Sequence, residues 1–231
     1  MNSLRKRGRE NIRNCHRPQP TPVEPHACIR ASLAGHGATL VPGRNLARTP
    51  MGYSIAYVAF QNKSREEVLA LTGLADTGEV DEANESPVAG ASLPNGWYVL
   101  FLNDYDHPLI APRALLAFSR VCRLLACQVE EHVMASSAAG YESGQRIWST
   151  THQSDKGRYD LQVQGSPPES FGAVRAALVK KQDDAGGEKA DVDYVFDIPV
   201  ELVTQLCSYR YDRWKFDWGQ PVFTTLCKVT R

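Results

Sequence analysis

A chain of 231 residues with 42% hydrophobic and 9% aromatic residues is long enough for one substantial domain or two small ones, so a globular core is expected. Its formal net charge of zero conceals an uneven division at Met51. Residues 1–50 hold nine basic residues against Glu10 and Glu24, which leaves 17 basic and 24 acidic residues for 51–231; an acidic folded part disfavours a phosphate-backbone partner and favours a basic one.

The first fifty residues contain six prolines and no periodic segment long enough to bury a face, so disorder is expected there. A nucleic-acid-binding arm, a transit peptide and an extension ahead of a start at Met51 compete for this stretch. The arm lacks interleaved aromatics, and prolines at 18, 20, 22 and 25 spoil the amphipathic helix of a transit peptide, which favours the extension. The division expected is therefore 1–50 as a basic extension and 51–231 as one domain. "GHGATL", Gly35 to Leu40, lacks both the preceding strand and the third glycine of a dinucleotide loop. "LRKRGRE" is not followed by an apolar stretch, and no apolar run approaches the roughly 20 residues that span a bilayer. The six cysteines form no C-x-x-C pair and no zinc spacing, and read as reduced core side chains. A cytoplasmic protein without membrane or nucleic-acid partner for its folded part, and without cofactor, is expected.

From Met51, "YSIAYVAF" reads as a buried strand, and Ser64 with Glu67 has the S-x-x-E spacing of a capping box opening a helix. A polar, acidic loop is expected over about residues 75–96, closing at the Asn95-Gly96 turn. "WYVLFLND" is apolar on both faces and reads as a central strand. Pro112 starts a helix with Leu115, Phe118, Cys122 and Leu125 at helical spacing. Three strand-like pieces follow at roughly 125–136, 145–152 and 158–164, joined by turns at "AAGYESG" and "SDKGR". "SPPES" opens a helix with Phe171, Val174 and Leu178 on one face, "VDYVFD" reads as a strand, and a last helix begins at Pro199. The order β-α-β-α-β-β-β-α-β-α predicts an α+β fold, a mostly antiparallel sheet with helices packed on it. In the tail, Trp214, Phe216 and Trp218 alternate with polar residues and would share one strand face.

Candidate chemistry is sparse. A hairpin centred near Tyr141 would set Glu130 opposite His152, with His132 two residues along, and Asp104 after the central strand would join them together with Asp106 and His107. A carboxylate beside imidazoles supplies acid-base groups near neutral pH, which defines a small metal-dependent or acid-base enzyme, although no metal-ligand spacing is present. "DTG" at Asp76 matches aspartic proteases over three residues only, and the acids from Asp76 to Glu85 lack the calcium-loop pattern. Neither a phosphate-binding loop nor a nucleophile elbow occurs. The preferred expectation is a non-enzymatic domain that binds a basic protein, through Asp76, Glu79, Asp81, Glu82 and Glu85 of the acidic loop and the Trp214, Phe216 and Trp218 face. Small acidic α+β proteins of this kind resemble, as a class, bacterial toxin-neutralising immunity proteins.

Overall fold

A run of apolar residues without polar alternation belongs inside a sheet covered on both faces, and two such runs form the middle of this fold. The computed structural model describes residues 52–229; the expected disorder of 1–50 and the start at Met51 lie outside the described residues. β1 (Ser54–Gln61) and β4 (Trp97–Leu102) pair antiparallel, with Tyr57 opposite Phe101 and Ala59 opposite Val99. Between them in the chain come α1 (Arg65–Thr72), β2 (Leu74–Val80) and β3 (Val88–Ser92). After β4 follow α2 (Pro112–Phe118), β5 (Leu124–Glu130), β6 (Ala135–Glu142), β7 (Gln145–Gln153) and β8 (Gln162–Gly165), then α3 (Phe171–Asp184), α4 (Asp197–Cys207) and β9 (Thr224–Lys228). The strands form one nine-stranded antiparallel sheet in the order β2-β9-β3-β4-β1-β5-β6-β7-β8, so the fold is α+β with helices on a sheet.

Alternation along each strand sorts the core into two layers. Ile55, Tyr57, Val99, Phe101 and Cys127 face α4, where Val200, Val203 and Cys207 meet them together with Tyr209 and Phe223. Val58, Phe60, Leu100 and Leu102 face the other way, onto Val68 of α1 and Leu115 and Phe118 of α2. α3 packs on α4 through Val174, Leu178 and Ile198. The capping box forms at the start of α1: Glu67 N–H donates to Ser64 Oγ at 3.2 Å and Ser64 N–H to Glu67 Oε2 at 2.8 Å. Gly73, at φ 71°, ends this helix in the left-handed region that suits glycine.

Five segments differ from expectation. The acidic stretch 75–96 contains β2 and β3, because β9 arrives from the C-terminus and pairs with both; a strand made by so distant a partner carries little local signal. α2 stops at Phe118, and Leu125 lies on β5 instead of on the helix. "AAGY" is strand β6, and its turn moves to Ser143 and Gly144, both at positive φ (52° and 75°) as a tight hairpin requires. Gly140 belongs in that strand because a Cβ there would lie 2.2 Å from Trp148 Nε1. "VDYVFD" forms turns leading into α4, where Phe196 N–H donates to Asp193 Oδ1 at 3.2 Å. The tail aromatics do not share a strand face: Phe216 and Trp218 stack at 4.9 Å and 6° beside the Phe216–Gly219 bridge.

Candidate functional site

His152 is a fully buried polar side chain on β7. β7 turns Trp148, Thr150 and His152 toward the α4 layer, where all three are buried. Both ring nitrogens face acceptors: Nδ1–H donates to Asp160 O at 2.6 Å and Nε2–H to Asp193 Oδ2 at 3.1 Å. Two acceptors on one imidazole select its doubly protonated form. Burial opposes that charge, but the hydrogen bonds from Asp193 and Asp160 prevail and raise the His152 pKa. Burial likewise penalises the Asp193 carboxylate, yet His152, the Phe196 N–H and Arg158 hold its pKa down at about 2. Arg158 Nη1 donates to Asp193 Oδ2 at 3.0 Å and its Nη2 to Ala190 O at 3.2 Å. The side chains of His152 and Asp193 are 0% exposed, so this pair is sealed from solvent and only Arg158, whose side chain is 25% exposed, reaches the surface. The triad ties the 158–160 turn and the 190–196 segment to β7.

The expected Glu130, His132, His152 and Asp104 cluster does not assemble. Glu130 pairs with Ala135 of β6, and His152 with Ser136 one strand further on, because β6 lies between β5 and β7. Glu130 shares its parity on β5 with Leu124 and Ala126 of the α1 and α2 side, which is the sheet face opposite His152. Glu130 and His132 do meet: His132 Nδ1–H donates to Glu130 Oε1 at 2.5 Å and Ser54 Oγ–H to Glu130 Oε2 at 2.5 Å. Burial of Glu130 is outweighed by these bonds, and its pKa is lowered. Asp104 makes a local turn, its Oδ1 accepting from Asp106 N–H at 3.0 Å. Among the described residues no group of three or more His, Cys, Asp or Glu side chains is placed to hold a metal ion. No helix among them is long and apolar enough to cross a membrane.

The residues expected to bind a partner separate into two sets. Asp76 is occupied internally, bound by Arg65, by Thr224 Oγ1–H at 2.5 Å and by Gly78 N–H at 2.6 Å. Asp81 is buried and accepts from Glu85 N–H and Ser86 N–H, each at 3.0 Å. Phe216 and Trp218 pack on the core, and Trp218 Nε1–H donates to Ser208 O at 3.2 Å. Glu79, Glu82, Glu85 and Trp214 remain exposed. Glu82 and Trp214 line one groove of about 530 Å³ with Val80, Pro221 and Val222. Val80, Trp214 and Val222 are 58%, 56% and 66% exposed. A single exposed apolar side chain is ordinary, but three around one concavity form a patch. The groove is held firm from behind, since Asp81 N–H donates to Phe223 O at 3.0 Å and fixes the 81–86 turn against the approach to β9. Val80 and Val222 carry no signal in chain order; they converge only because Val80 pairs opposite Thr224.

Comparison of the chain with protein-family models, with curated proteins and with solved structures found no match.

Proposed function

We propose that this is a cytoplasmic, non-enzymatic domain that binds a basic protein through the groove between β2 and the C-terminal segment, in the manner of a toxin-neutralising immunity-type protein. The observation that carries the reading is the exposure of Val80, Trp214 and Val222 around one groove that Glu82 also lines. An apolar centre with a charged rim is the ordinary anatomy of a protein interface, and tryptophan is among its strongest anchors. The seven-charge acidic excess of residues 51–231 supplies the long-range attraction that steers a basic partner and discourages nucleic acid.

The test is affinity capture from the native host with the full chain, in parallel with Trp214→Ala and Glu82→Lys variants, and identification of what is retained. The reading expects one protein of net positive charge, with Trp214→Ala weakening its binding roughly 30-fold or more. Capture that is equal for all three chains, or limited to acidic proteins, sinks it.

A further inference from the structure

On the α1 and α2 side of the sheet the apolar core takes in side chains of β1, β4, β5 and β6, and among the described residues no β7 or β8 side chain joins it. A groove of about 480 Å³ opens there, within the size range of small-molecule sites. Its floor is fixed by strand register. Gln128, Ser137 and Thr151 stand side by side across β5, β6 and β7, and Ala126, Ala139, Ser149 and Gln164 form the next row across all four strands. The short side chains give the groove depth, while Ile110, Pro112 and Leu115 make an apolar wall.

The two ends differ in chemistry. Arg146 lies opposite Tyr141, itself in the row of Leu124, and donates from Nη2 to Gln164 Oε1 at 2.8 Å. A guanidinium has five N–H donors, more than that amide oxygen uses. Asp106 and His107 line the groove near Gln128, whose Nε2–H donates to Tyr105 O at 3.0 Å. Leu124 and Gln128 are four residues apart on β5, so the ends are about 13 Å apart at a rise of about 3.3 Å per residue. His107 Nδ1 accepts the Leu109 N–H at 3.2 Å, which leaves the ring proton on Nε2. Burial lowers the pKa of this ring, which favours its neutral form.

We propose that this groove binds a small oxyanion-bearing molecule, its carboxylate or phosphate held by Arg146 and its hydroxyl or amide groups by Ser137, Ser149 and Thr151. Among the described residues Arg146 is the one Lys or Arg side chain lining a groove rich in hydroxyl and amide groups, on a domain whose acids outnumber its bases. A planar fork of donors matches an oxyanion better than any neutral group. The site is separate from the proposed protein-docking groove and shares no residue with it.

The experiment is a titration of the isotope-labelled full chain, followed by backbone amide NMR shifts. Inorganic phosphate and succinate are the two probes, with sodium chloride at matched ionic strength and glycerol as controls. Saturable shifts at Ser137, Ser149 and Thr151 are expected with a probe but not a control, and whichever probe saturates at lower concentration identifies the preferred oxyanion. Arg146 is exposed, so Arg146→Gln keeps the fold, and it should weaken the saturating probe at least about tenfold. Thr151→Val should weaken it less. Shifts that merely follow ionic strength, persist equally in Arg146→Gln, or fall elsewhere overturn the proposal.

Discussion

Asp193→Asn isolates the buried triad with little change of shape. The wild-type carboxylate is held at about 2 instead of 3.8, which corresponds to on the order of 2 kcal/mol, since a tenfold change in acidity is about 1.4 kcal/mol. The variant also strands His152, which is fully buried, and Arg158, whose side chain is 25% exposed and relaxes toward water. Breaking a fully buried pair costs about 3–5 kcal/mol; this overlaps the figure from the carboxylate and is reduced by the exposure of Arg158, so a loss of about 2–4 kcal/mol is expected. The pH dependence gives a sharper signature. The Asp193 contribution is present above its ordinary value and is lost as pH falls toward about 2. The His152 contribution, from a raised pKa, is complete below 6.5 and is lost as pH rises through the folded value. Wild-type stability from urea titration should therefore be highest between those limits and fall on the alkaline side. In Asp193→Asn the alkaline fall flattens. A loss below about 0.5 kcal/mol, the range of ordinary surface substitutions, or an unchanged alkaline slope, would refute the triad as a stabilising ionic latch.

Two further outcomes follow from packing. Gly140→Ala drives a methyl group into the Trp148 ring and should cost about 1–3 kcal/mol, read as a lowered urea midpoint with unchanged slope; an unaltered midpoint means that the β6–β7 register differs from that described. Cys127 and Cys207 are buried, and burial pushes both thiols up to about 12, whereas Cys227 is exposed. Peptide mapping after iodoacetamide treatment of the native protein should find Cys227 alkylated and the buried pair intact; labelling of Cys127 at the rate of Cys227 contradicts the described core.

The parts of the fold legible in sequence are those with local causes. The capping box needs only Ser64 and Glu67, and the central strands announce themselves because "YVAF" and "WYVLFL" lack any polar alternation. Strands made by distant partners are not legible: β2 exists because β9 lies beside it, and β6 is a run of small residues whose fitness is set by Trp148 across the hairpin. The candidate site was half visible for the same reason. Glu82 and Trp214 stand out by charge and size, but nothing in chain order joins them to Val80 and Val222. Glu130 and His152 do not pair because "AAGY" is a strand and not a turn, and one strand more in the sheet gives a side chain a different neighbour and a different face.

Docking of a protein at the Val80, Trp214 and Val222 groove can be tested by site-specific photocrosslinking in the native host. A benzophenone side chain is placed at Val222 in one chain and, as control, at Val163 on the opposite edge strand β8. A docked partner gives a discrete adduct with one basic protein from position 222, none from position 163, and loss of the adduct when Glu82→Lys is added. No adduct from position 222, or equal adducts from both positions, contradicts it.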